Sequence, residues 1–171
     1  MSTASGPDAR VSRRRIPREA EDRTDMGILG VFTTLARTGL FLEALQRDCL
    51  GKHGLAFTEY SVLRLLQRAP ERRIAPSLLA EKIVCTTGAM TKLVDRLERS
   101  QAVERRPDPL DRRGVLVAIT DEGDALATRA AETYRVGRER VLGLLDDRDA
   151  EQIHDHLGRL LGALETDRRS R

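Results

Sequence analysis

Residues 76–123 read PSLLAEKIVCTTGAMTKLVDRLERSQAVERRPDPLDRRGVLVAITDEG, and the reading of this stretch decides the fold. Pro76 stands where a first helical residue can stand, because its missing N–H would be unpaired there in any case. Leu78, Leu79 and Ile83 then predict a short helix over 76–83. Val84-Cys85-Thr86 breaks it, and a further helix follows over 87–100 with Thr86 as its N-cap. At about 100° per residue, Met90, Leu93, Val94 and Leu97 fall on one inward stripe. Gly88, Thr91, Lys92, Asp95, Arg96 and Arg99 lie opposite. The period then changes. Val115, Val117 and Ile119 alternate with Leu116 and Ala118, which predicts a strand, with 102–106 as its partner. Pro107 and Pro109 exclude a helix interior between them. The result is a two-stranded hairpin with a long, charged tip.

Working outward, residues 26–50 predict a long helix. Ile28, Leu29, Val31, Phe32, Leu35, Ala36, Gly39, Leu42 and Leu45 recur in it at three- and four-residue steps. Gly51 and Gly54 end it. A second helix spans 56–68, with Val62, Leu63, Leu65, Leu66 and Ala69 turned inward, and Pro70 stops it. On the other side of the hairpin, Thr120 caps a helix running to about 145, with Asp121 and Glu122 in the first turn where the macrodipole favours acids. Asp146-Asp147-Arg148-Asp149 marks a new start. The last helix, 148–165, carries Ile153, Leu157, Leu160, Leu161 and Leu164 on one side. The expected fold class is mostly α with a minor β part.

Composition narrows the function. The chain has 171 residues, enough for one domain with a sizeable core. Hydrophobic residues make up 40% and aromatics only 3%, a mixture that favours packed helices over a β-sandwich. No apolar run is long enough to cross a bilayer, and the first 25 residues hold no secretory h-region. Two Cys and three His show no disulfide scaffold and no zinc spacing, so no metal and no cofactor is expected, in a reducing, cytoplasmic setting. His53, His154 and His156 have no Ser, Cys or acidic partner at catalytic spacing, so no enzyme and no catalytic residue is expected. The net charge is +3, but residues 58–120 alone hold +4 and residues 121–171 hold −3. A polyanion should therefore meet the middle of the chain. Residues 1–25, which include Arg13-Arg14-Arg15, read as a disordered arm.

Two helices joined by a tight turn and followed by a basic hairpin make a winged helix-turn-helix. A recognition helix needs one apolar side and one side of donors and acceptors, and residues 87–100 have both. Small residues at its start (Thr86, Thr87, Gly88) allow close approach of the helix end to a phosphate. Arg105, Arg106, Arg112 and Arg113 cluster near the hairpin tip, and Arg suits a narrow minor groove. Asp111 is expected to hold a neighbouring Arg extended, and Asp95 to pair with Arg99.

The stretch from Leu55 to Gly123 resembles the MarR family of bacterial transcriptional regulators. The likeness is carried by TGAMTKLVDRLE, by VERRPDPLDRR with its Asp111-Arg112-Arg113, and by ITDEG at the start of the next helix. The resemblance implies a homodimeric repressor that binds a pseudo-palindromic operator in double-stranded DNA, its recognition helices roughly 34–36 Å apart. It implies a division into an arm (1–25), an N-terminal dimerisation helix (26–55), the DNA-binding region (56–120) and C-terminal dimerisation helices (121–171). By position, Thr87, Gly88, Thr91 and Lys92 become groove contacts and Ser77 a phosphate contact. Arg112 and Arg113 become a minor-groove probe supported by Asp111, and Thr86, Arg96 and Arg106 complete the DNA-facing set. Many family members release DNA on binding a small aromatic or phenolic effector, and Phe32, Phe41, Tyr60 and Arg64 are the expected lining of such a pocket. The family's thiol switch uses a Cys near the start of the first helix, whereas Cys49 sits at its far end; the urate-sensing branch uses a Trp, and this chain has none. Two positions depart from the family pattern. Gln101 stands where Gly is usual, a cost of roughly 1–2 kcal/mol if that residue is left-handed. Ala56 stands where Thr often caps the second helix, so that cap is either lost or supplied by Thr58 one step late. A protein-binding helical adaptor that keeps the winged helix as scaffold is the alternative reading.

Overall fold

The computed structural model describes residues 28–111 and 113–170. The arm over 1–25 and the wing residue Arg112 lie outside the described residues. The chain divides into two compact units, one ending at Leu40 and the other spanning Phe41–Arg171. Helix α1 (Ile28–Leu50) contributes to both. In the first unit it leaves Val31, Phe32 and Leu40 exposed.

The second unit continues with a 3-10 turn at Gly51–His53, then α2 (Phe57–Arg68), a second 3-10 turn (Pro70–Arg72) and β1 (Arg73–Ile74). Next come α3 (Pro76–Ile83), α4 (Thr87–Arg99), β2 (Val103–Pro107), β3 (Val115–Ile119), α5 (Asp121–Leu142) and α6 (Asp147–Arg169). This is the expected mostly helical winged helix, with a three-stranded antiparallel sheet in the order β1-β3-β2. The hairpin register runs from Val103 opposite Ile119 to Pro107 opposite Val115. Two residues are too few to show any period, so β1 was not foreseen. Its pairing of Arg73 with Ala118 and Ile74 with Val117 puts β3 at the centre of the sheet. That explains why Val117, Ala118 and Ile119 are buried in succession where alternation was expected.

The core gathers Leu50, Val62, Leu63, Leu66 and Leu79 with the α4 stripe Met90, Val94 and Leu97 and the strand residues Val103 and Val117. Two chain reversals hold α4 in place, and both use left-handed residues that are not glycine. Val84 (φ 59°, ψ 47°) ends α3, with its N–H on the Glu81 carbonyl at 3.2 Å and the Cys85 N–H on Ala80 at 3.0 Å. Gln101 (φ 59°) ends α4, with the Ala102 N–H on Leu97 at 2.9 Å. Gln101 thus adopts the strained conformation for which Gly is usual. Past the hairpin, Thr120 joins α5 to this exit: its hydroxyl donates to the Gln101 carbonyl at 2.7 Å and accepts the Gly123 N–H at 3.0 Å. A Cβ on Gly123 would stand 1.9 Å from the Ala102 carbonyl oxygen, so only glycine lets α5 start this close to the strand.

Several boundaries differ from expectation. Ala56 is the N-cap of α2, and Thr58 does not replace the missing side-chain acceptor. Instead the Glu59 carboxylate takes the Ala56 N–H at 2.8 Å, which is the acidic half of a capping box. Helix α5 stops at Leu142 rather than 145, where the Gly143 N–H bonds Glu139 at 2.8 Å and the chain turns. Helix α6 starts one residue early because Asp146 caps it, accepting the Asp149 N–H at 2.7 Å, and it runs on to Arg169. No described side chain of α6 is buried; Ile153, Leu157, Leu161 and Leu164 are all exposed. Among the described residues no helix is long and apolar enough to cross a membrane, and no cluster of His, Cys, Asp and Glu could hold a metal ion.

Two substitutions test this packing by chemical denaturation. Gly123→Ala should destabilise the chain by about 2–3 kcal/mol, because the group it meets is backbone and cannot rotate away. Val84→Gly should stabilise it by about 1 kcal/mol: Val84 is 60% exposed and loses little burial, while its left-handed strain disappears.

Candidate nucleic-acid interface

Helix α4 divides as its sequence predicts. Met90, Leu93, Val94 and Leu97 are buried, and Thr87, Gly88, Thr91 and Lys92 are exposed on the other side. The Thr86 hydroxyl caps the helix by accepting the Ala89 N–H at 3.2 Å. The Thr91 hydroxyl donates to the Thr87 carbonyl at 3.0 Å, which leaves its oxygen facing outward as an acceptor beside a methyl group. Nothing lies within 4 Å of where a Cβ on Gly88 would be, so the first turn is open to close approach. Ser77 is exposed in the first turn of α3.

The wing tip is closed by its own backbone. The Asp108 N–H bonds the Gly114 carbonyl at 3.0 Å, and the Gly114 N–H bonds Asp111 at 2.8 Å. The Asp111 carboxylate accepts the Arg113 backbone N–H at 2.9 Å, shaping the turn; the neighbouring Arg112, which Asp111 is expected to brace, lies outside the described residues. The Asp108 carboxylate does the same for the Leu110 N–H at 2.9 Å. Leu110 stands 96% exposed at the apex, and Arg113 is exposed beside it.

The cations are not equivalent. Arg96 is tied by its Nε to the Glu59 carboxylate at 3.1 Å. Arg106 donates to Glu104 at 2.7 Å. Asp95 does not pair with Arg99, whose Nε reaches only the Asp95 carbonyl at 3.3 Å. The Asp95 carboxylate is held by Arg105 at 2.7 Å, because β2 brings Arg105 alongside α4, and Glu98 pairs with the same guanidinium. The Asp95 hydrogen bond raises the Arg105 pKa; desolvation opposes it, and the charge of Glu98 adds to it. Among the described residues, no ion pair engages Lys92, Arg99 or Arg113. Glu59 escaped the sequence reading, although a Glu three residues after Ala56 is the signal that finds it.

A cleft of about 560 Å³ opens between α2, α3 and α5. Tyr60 and Arg64, two of the four residues assigned to a pocket by the sequence, line it. Phe41 is exposed and not part of the lining, and Phe32 is exposed in the first unit. The aromatic wall comes from residues the sequence reading passed over. Phe57 and Tyr134 join Tyr60, with ring centroids 5.7–6.4 Å apart. Arg138 lies 5.1 Å over the Tyr134 ring, and Arg64, Arg68, Lys82 and Arg138 make the rim basic. Arg64 is steadied by Gln67 at 2.6 Å, which in turn donates to Asp124 at 2.7 Å. Cys49 is buried and Cys85 half-buried, and both are free thiols.

Comparison with known proteins agrees with this architecture. The MarR family profile matches residues 55–115. The HTH-type transcriptional regulator PecS of Dickeya dadantii is 30% identical over 148 residues, covering 84% of this chain and 86% of PecS. Sco5413, a MarR family transcriptional regulator from Streptomyces coelicolor, superposes with a TM-score of 0.72 at 27% identity, over 81% of this chain and 96% of its own. Sco3205 from the same organism, solved in complex with DNA, superposes with a TM-score of 0.75 at 24% identity, over 80% and 86% of the two chains. The likeness extends through the flanking helices as well as the reading head, and by it this chain belongs to the MarR family.

Proposed function

We propose that this chain is a DNA-binding transcriptional repressor that reads a pseudo-palindromic operator as a homodimer and releases it on binding a small aromatic acid or phenol. The observation that carries the DNA reading is the exposed row of Gly88, Thr91 and Lys92, on a helix whose opposite side is core. Lys92 supplies donors for a guanine edge, and the Thr91 oxygen and methyl suit an exocyclic amine or a thymine methyl. Ser77 and the α4 N-terminus, with Thr86 and Thr87, fit phosphate contacts. Arg113, with Arg112 and Arg106, fits the minor groove, and the Asp111 turn presents it. Arg96 contributes through whichever guanidinium nitrogens Glu59 leaves free.

Dimerisation accounts for α6. A 23-residue helix with no described side chain buried and a line of exposed leucines needs a partner surface, and a second copy supplies a self-complementary one. The exposed Val31, Phe32 and Leu40 of α1 support the same assignment for the N-terminal helix. The effector reading rests on the cleft, where three aromatic rings form the wall and basic side chains offer a place for a carboxylate or phenolate. A repressor of this kind works in the cytoplasm, where its DNA is.

An operator selected from a random duplex pool should bind with an affinity that falls steeply with salt. Arg113→Ala should weaken operator binding and reduce the salt slope by about 1, whereas Thr91→Ala should lower base discrimination by about tenfold. Selection that enriches no sequence overturns the reading. In sedimentation, the wild-type chain should run as a dimer and Leu157→Glu/Leu161→Glu as a monomer with no operator binding. Titrated with benzoic and phenolic acids, the operator complex should dissociate, and Arg64→Ala should raise the concentration required by about tenfold.

A further inference from the structure

The clamp between wing and recognition helix joins one cation to two anions. Asp95 and Glu98 stand three apart on α4, so both carboxylates project on one side. Arg105 reaches them from β2, with Nη2 2.7 Å from Asp95 and Nη1 paired to Glu98. Asp95 is about half exposed, and pairs of that kind contribute only about 0.2–1 kcal/mol each to stability. Three carboxyl-bearing side chains held so close to a DNA-reading surface, Asp95, Glu98 and Glu104, therefore matter more for their charge than for the fold. A phosphate that approaches Arg105 must displace carboxylates already bonded to it. That cost is the same for every base sequence, and it falls on the part of binding that ignores sequence.

We infer that Asp95 and Glu98 are specificity determinants: they hold Arg105 as built-in competitors of DNA phosphate, which suppresses binding to arbitrary duplex and leaves operator recognition to the base contacts. The inference rests on the DNA-binding reading above. It separates the arginines into two classes. Arg105 is a positioning residue that is neutralised within the chain, whereas Lys92, Arg99 and Arg113 supply the net positive field.

The test measures the affinity of the full chain for a selected operator and for a scrambled duplex of equal length, from about 50 to 300 mM salt. Asp95→Asn/Glu98→Gln should tighten scrambled binding about tenfold and operator binding less than threefold, and should steepen the scrambled-duplex salt slope by about 1 as Arg105 becomes available. Adding Arg105→Gln to that pair should return the slope to the wild-type value. Glu98→Gln alone, which keeps the Asp95 bond and the wing attachment, should shift the slope the same way by a smaller amount. An unchanged slope, equal tightening on both duplexes, or a triple variant that retains the full gain overturns the inference. A wild-type chain that binds both duplexes equally overturns the sequence-specific operator reading on which the inference rests. A wild-type chain that prefers its operator, with variants that do not move, overturns only the role of the two carboxylates.

Discussion

The Glu59 carboxylate is the one charged side chain among the described residues that lies buried, and the reading head is organised around it. It receives the Ala56 N–H at 2.8 Å and the Arg96 Nε at 3.1 Å. A buried carboxylate is costly unless its lone pairs are filled, and here one partner starts α2 while the other comes from the last turn of α4. The same carboxylate therefore supplies the acidic half of the α2 capping box with one oxygen and ties α4 to α2 with the other. The next residue, Tyr60, forms part of the aromatic wall of the cleft. A single helical turn of α2 thus touches both the cleft and the helix that carries Thr91 and Lys92, and any tilt of that turn is felt at both.

The two ends of α4 carry strain as well as contacts. Val84 and Gln101 both occupy left-handed backbone, where residues with a Cβ cost roughly 1–2 kcal/mol each. The surrounding hydrogen bonds over-determine both turns, so the strain persists in the folded chain. The Thr120 hydroxyl, which bonds both Gln101 and Gly123, shows how one short side chain can hold a strained exit and a helix start together.

The helices, the wing and the division of α4 could be read from period and punctuation, because side-chain burial repeats along each element. What could not be read depended on partners distant in sequence. β1 is two residues long and exists only because Ala118 and Val117 are beside it. The Asp95 pairing went to Arg105 rather than Arg99 because the hairpin register, not helical spacing, brings Arg105 alongside. The cleft wall includes Tyr134, 74 positions beyond Tyr60, and no local pattern announces that the two rings meet at 5.7 Å. Gln101 was different: its conformation followed from the glycine usual at that position, and the backbone adopts it despite the side chain.

The bare leucines of α6 have a calorimetric consequence. The heat-capacity change of unfolding scales with the apolar surface that folding removes from water. A single copy that leaves Ile153, Leu157, Leu161 and Leu164 wet has already forgone part of that change. Its unfolding endotherm should be shallower and its stability curve flatter than those of an ordinary 171-residue globule, so the missing heat capacity measures how much apolar surface this chain leaves uncovered.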